Sequence, residues 1–231
     1  MSLFADISAT AGSAGNRVTN AIAMASRRTG VDFSYLLGQA KIESSLNPTA
    51  RATTSSATGL YQFIDQSWLA IVNKHGAQYG LGWAADAIQQ SGGRYYVADP
   101  ELRQQILDLR KHPETASVMA AEHAADNKAY LEGRLGREAQ PVDLYLAHFL
   151  GVGGAAKFLS AHDRAPDATA ASLFPAAARA NRSIFYDRQG TPRSFTEIRD
   201  RFAAKLQKGS DRKSTRLNSS HTDISRMPSS A

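Results

Sequence analysis

Helix punctuation recurs along this chain, while no stretch alternates apolar and polar residues long enough to make a convincing strand. Asp32 precedes Phe33, Leu36, Leu37 and Ala40, an apolar set at helical spacing that predicts a capped helix through about Ser45. Asp99-Pro100-Glu101 combines a capping acid, a first-position proline and a first-turn acid, and opens a helix to about Lys111. Pro113 opens the longest pattern, to about Leu135. Ser194 with Glu197 three residues on fits a capping box for a last helix ending near Gln207. Further helical patterns cover Asn16 to Arg28, Asp65 to His75, Gly82 to Gln90, Pro141 to Leu150 and Gly154 to His162, with Asp65 read as the cap of its own helix. Between them, 49–58 has the Thr, Ser and Ala composition of a loop, and a short hairpin or loop is expected around Gly190. The expectation is an all-α fold: one domain over 15–209, after a flexible lead-in at 1–14.

Residues 210–231 differ from the rest. Seven of these 22 residues are Ser, and the apolar ones have no period. Their text resembles translated sequencing-adaptor read-through, with a natural disordered tail as the alternative, so they are set apart as a disordered or artefactual tail. Lys and Arg number 27 against 21 Asp and Glu, a net charge of +6; without the tail the balance is 23 against 19. Such a surplus favours polyanions in general. No basic run with interleaved aromatics appears, so nucleic acid is not an expected partner. With no Cys, disulfide frameworks and thiolate metal sites are excluded. No apolar run is long enough for a membrane span, and the first residues lack the basic and apolar segments of a signal peptide.

Glu43 is the first candidate for chemistry. It lies one turn beyond Gln39 and Ala40 and two beyond Leu36, so its carboxyl leans toward the apolar face of its helix. Lost hydration there disfavours ionisation, and a carboxyl kept protonated near neutrality can donate to a leaving oxygen. Ile42-Glu43-Ser44-Ser45 is followed across the polar loop by Thr58-Gly59-Leu60-Tyr61-Gln62-Phe63, and much later by Leu146-Ala147-His148-Phe149-Leu150-Gly151.

In these three segments the sequence resembles the soluble lytic transglycosylase (SLT) family, which shares a lysozyme-like fold with goose-type lysozymes. The family's Glu-Ser motif is carried by Glu43 and Ser44. Its Gly-Leu-Met-Gln is carried by Gly59-Leu60-Tyr61-Gln62, and its Ala-Tyr-Asn-Ala-Gly aligns with Ala147-His148-Phe149-Leu150-Gly151. The resemblance covers about 30–165. Asn181-Arg182-Ser183-Ile184-Phe185-Tyr186-Asp187 is similar to an extension in one alphaproteobacterial-type branch. Tyr61 stands where the family has Met, and His148 and Phe149 stand where it has Tyr and Asn.

The resemblance implies a helical lysozyme-like domain with a substrate cleft. It also implies a bacterial enzyme acting on the β-1,4 bond between N-acetylmuramic acid and N-acetylglucosamine in peptidoglycan. Glu43 would be acid and then base, and the products would be 1,6-anhydro sugars. Ser44, Gly59 and Gln62 would bind or position substrate, and Tyr61, His148 and Phe149 would line the cleft. No cofactor or metal is implied. The partners would be peptidoglycan glycan strands, with a secretion or flagellar apparatus as a further candidate, and the place of action the periplasm or cell envelope.

Two rivals accompany this reading. An inverting muramidase needs a second carboxylate roughly 6.5–9.5 Å from the acid, and Asp65 is the candidate. A non-catalytic glycan-binding or secretion-associated module would keep the fold without turnover. Glu122-His123 lacks the second His of a zinc protease and reads as structural. Gly151 to Gly154 follows a helix rather than a strand and reads as a helix junction or cleft rim. His75, His112 and His162 read as surface or packing residues, and Trp68 and Trp83 as core aromatics, with Trp83 also a candidate sugar-subsite wall.

Overall fold

The computed structural model describes the backbone over 3–210 and side chains over 15–210. The expected tail therefore lies outside the described residues, apart from Ser210, which ends the last helix. The described chain is mostly helical, as expected of an all-α protein. The helices are α1 (Leu3–Thr29), α2 (Phe33–Ser44), α3 (Asp65–His75), α4 (Gly82–Ala87), α5 (Pro100–Asp108), α6 (Pro113–Leu135), α7 (Pro141–Leu150), α8 (Val152–Arg164), α9 (Ala170–Leu173), α10 (Pro175–Ala180), α11 (Arg182–Phe185) and α12 (Phe195–Ser210).

Local signals position most of these ends. The Asp32 carboxylate accepts from the Tyr35 amide at 2.8 Å, and the Asp99 carboxylate from Glu101 and Leu102 at 2.8 and 3.1 Å. Ser194 and Glu197 exchange the two bonds of a capping box at 3.1 and 2.8 Å. Helix α1 reaches back to Leu3 through the expected lead-in, an Ala- and Ser-rich segment with no proline to stop it. Two expectations change. Asp65 is not a cap: Ile64 is, and the Asp65 carboxylate turns instead to Arg103 and Arg110. The pattern from Gly82 stops at Ala87 and gives way to a hairpin, β1 (Gln89–Ser91) and β2 (Arg94–Tyr96), pairing Gln89 with Tyr96. Gly92 and Gly93, at φ 56° and 76°, supply its turn, and three-residue strands are too short for alternation to show.

The long helix α6 forms the centre and touches α1, α2, α3, α7 and α8. Met119, Ala121 and Leu131 on it are fully buried, among Ile22, Leu36, Trp68, Leu146 and Phe158. Two further contacts bear on the site. Helix α12 lies across α2 where Gly38 meets Gly209; a Cβ on Gly209 would stand 2.8 Å from the Gly38 carbonyl oxygen. The fully buried Asp143 near the start of α7 accepts from Arg137 at 2.7 Å and from Arg199 of α12 at 3.1 Å. A buried charge persists only when paired in this way, so α2, α7 and α12 are held as one unit.

Candidate active site

Glu43 occupies the last turn of α2, and the helix ends just beyond it because Ser45 and Leu46 adopt left-handed conformations, φ 54° and 64°. The Glu43 side chain is 19% exposed. Tyr145 on α7 donates its hydroxyl to Glu43 Oε1 at 2.9 Å, and His148 Nε2 stands 3.6 Å from the same oxygen. Burial raises the Glu43 carboxyl above its ordinary range; the Tyr145 hydrogen bond and the more distant Lys205 charge act the other way without cancelling it. Such a carboxyl holds its proton to higher pH than a solvated one, the property required of a general acid.

The hydroxyl on Glu43 thus comes from Tyr145, which lies outside the three sequence motifs. Positions 145 and 148 lie three apart on α7 and so share a face, with their rings stacked at 6.1 Å. Burial and the neighbouring Glu43 raise the Tyr145 phenol, keeping it a donor throughout the working range. His148 is pushed down to about 4 by burial, so it is neutral at the pH where Glu43 would act, and its charge does not vary there. Phe149 packs on Phe202 of α12 at 5.1 Å, and Phe202 also meets Tyr145 edge-on at 5.2 Å.

The loop carrying Gly59 to Gln62 is tied to the end of α2. Ser44 Oγ lies 2.9 Å from the Leu60 carbonyl oxygen and 3.0 Å from that of Ala40. Its single proton is taken up within the protein, so Ser44 joins two segments rather than offering a donor to substrate. Gly59 sits at φ 84°, where an added Cβ would be 2.1 Å from the Arg110 carbonyl oxygen, so only glycine fits. Gln62, at φ 50°, donates Nε2 to the carbonyls of Gly59 and Ala50 at 2.9 and 3.2 Å. Its side-chain oxygen has no protein partner among the described residues, leaving an acceptor for a ligand. Among the described residues, the non-glycine positions with φ above zero are Ser45, Leu46 and Gln62, all on these two segments. Strain of this kind collects where surrounding structure enforces a particular geometry.

Tyr61 does not line a cleft. It is fully buried, with its hydroxyl facing Ser117 though neither oxygen meets strict hydrogen-bond geometry. Its ring is part of the hydrophobic core. Asp65 is likewise committed: Oδ2 pairs with Arg103 at 2.7 Å and Oδ1 with Arg110 at 3.0 Å. Both oxygens are held in ion pairs with arginines. Arg110, 6% exposed, also donates to the carbonyls of Ser56, Phe63 and Leu107 at 2.8–2.9 Å. It is the buried post around which the Gly59 loop is wound. Its place three and four residues after the buried Leu107 and Ile106, in the 3-10 turn that follows α5, is the signal in the sequence.

Trp68 is a core aromatic, its indole N–H bonded to the Ile106 carbonyl at 2.7 Å, while Trp83 is 47% exposed. Gly151 joins α7 to α8, and Gly153 and Gly154 lie inside α8, so this run is a helix junction. His123 meets Phe63 edge-on at 5.8 Å and is pushed down to about 4 by burial and then by neighbouring His148. His75 is buried between Glu122 and Asp126, at 3.4 and 2.9 Å, as a link between α3 and α6. Among the described residues no group of three or more His, Asp or Glu side chains could hold a metal ion. No helix among them is long and apolar enough to cross a membrane.

Removing the Tyr145 hydroxyl has a signed consequence. That hydrogen bond favours ionised Glu43, so Tyr145→Phe raises the Glu43 pKa further. If Glu43 must be protonated to act, the alkaline limb of the kcat/KM profile moves to higher pH, while the maximal rate falls about tenfold because the carboxylate loses its orienting donor. No model of a known protein family matches the chain.

Proposed function

We propose that this chain is a lytic transglycosylase of the SLT kind, with a lysozyme-like arrangement of its helices and peptidoglycan strands as substrate in the cell envelope. The observation that carries the reading is the partly buried Glu43, with raised pKa and a tyrosine hydroxyl on its carboxylate, fastened through Ser44 to the strained Gly59–Gln62 loop. Helix ends that serve packing alone have no need of a desolvated carboxyl at that point.

In this reaction the Glu43 proton passes to the glycosidic oxygen as the bond to C1 of the muramic acid breaks. The resulting carboxylate, held by Tyr145, takes the proton of the C6 hydroxyl, and O6 closes on C1 to form the anhydro ring. The proton count returns to its start, and one carboxyl serves both steps. Neutral His148 adds no charge of its own beside Glu43. Hydrolysis by an inverting route fits less well, because the proposed base, Asp65, has both oxygens in ion pairs with arginines.

Digestion of purified cell-wall sacculi tests this directly. Soluble products lighter by one water than the hydrolysed muropeptides, with no new reducing ends, are expected. New reducing ends would transfer the assignment to a muramidase, and binding without release would leave a glycan-binding module.

A further inference from the structure

The last helix offers a second feature that this reaction does not use. Arg201, Lys205 and Lys208 recur at spacings of four and three, which puts them on one side of α12. They line a hollow of about 620 Å³ together with Ile184 and Phe202, and no acidic side chain lines it. The three cations are exposed, and among the described residues no carboxylate pairs with any of them.

The hollow adjoins the packing around Glu43 through one side chain. Phe202 at its base packs on Tyr145 and Phe149, at 5.2 and 5.1 Å, and Tyr145 holds Glu43. Lys205 is close enough for its charge to act on the Glu43 carboxyl. In peptidoglycan the peptide stem branches from the muramic acid itself, the sugar whose C1 would react over Glu43. Its carboxylates therefore fall within a few residues' length of the reacting bond.

We propose that the Arg201–Lys205–Lys208 hollow receives the carboxylate-bearing peptide stem of the strand being cleaved, so that the protein selects stem-bearing over bare glycan. This rests on Glu43 acting on peptidoglycan. Clustered cations without acidic neighbours attract an anionic segment and hold it through several exposed pairs, each weak and together selective.

The test pairs intact sacculi with glycan strands from which an amidase has removed the stems. The variant is Arg201→Gln with Lys208→Gln; Lys205 is kept because its charge reaches Glu43. Cleavage of stem-bearing strands is expected to fall about tenfold in kcat/KM, against less than about twofold on stripped strands. Equal losses on the two substrates overturn the proposal.

Co-sedimentation of the full-length Glu43→Gln protein with the same two materials, with and without the double substitution, separates this from the catalytic reading. Binding that depends on both the stems and the two cations upholds the hollow even where wild type releases nothing, in which case only the enzymatic reading falls. Binding indifferent to the stems removes the hollow while leaving Glu43 untouched.

Discussion

Glu43→Gln is expected to lower release of soluble muropeptides by about a thousandfold while raising the melting temperature slightly above wild type. The activity loss follows from removing the one group that gives and takes the proton in the proposed reaction. The gain in stability follows from the raised pKa. A carboxyl whose folded-state pKa lies above its unfolded value contributes stability below the unfolded value and loses it as pH rises through the folded one. Above the ordinary glutamate range the buried carboxyl therefore costs stability, and Gln, which still accepts from Tyr145, removes the cost. The gap between variant and wild type should open as pH rises from below the ordinary glutamate range and then level off. Melting curves across pH, run beside the muropeptide assay, check both halves. A variant as active as wild type would end the proposed role of Glu43, and a large drop in melting temperature would mark it as structural.

Arg110→Met is expected to destabilise the fold by about 3–5 kcal/mol, measured by urea unfolding. Methionine fills much of the same volume, so the loss is chiefly electrostatic. It strips one partner from Asp65 and takes a charged donor from the Ser56 and Phe63 carbonyls, which keep only their bonds from Thr58. Gly59→Ala strikes the same joint from the backbone side, because the new Cβ would meet the Arg110 carbonyl oxygen at 2.1 Å. A cost of about 2 kcal/mol or more is expected there, from left-handed strain together with the clash. Both substitutions should reduce activity beyond their effect on folding, since the loop they loosen is fastened to the helix end bearing Glu43. Wild-type stability in either variant would show that the loop is held by something other than this post.

Much of the fold was legible in the residues because helix ends are written locally. Asp32, Asp99 and the Ser194–Glu197 pair bond within three residues of themselves, and Pro113 and Pro141 open helices at the positions where they stand. The hairpin escaped notice because each strand is only three residues long. In the candidate site Ser44, beside Glu43, bonds to the Gly59 loop, and several residues take other roles than the sequence implies. Tyr61 went into the core, Ser44 became a tie between segments, and Asp65 joined two arginines.

Which hydroxyl meets Glu43 was settled by tertiary packing alone. Tyr145 and Glu43 are 102 residues apart, and the side chain that spans them depends on how α7 is rotated against α2. That rotation is set by the buried Asp143 between Arg137 and Arg199 and by the glycine crossing of α2 and α12. The order of residues by itself determined where helices begin and which carboxyl leans inward, since both follow from bonds and faces a few residues long. The partners of that carboxyl, and the cations gathered beside it, arise from contacts between distant segments, which local spacing does not encode.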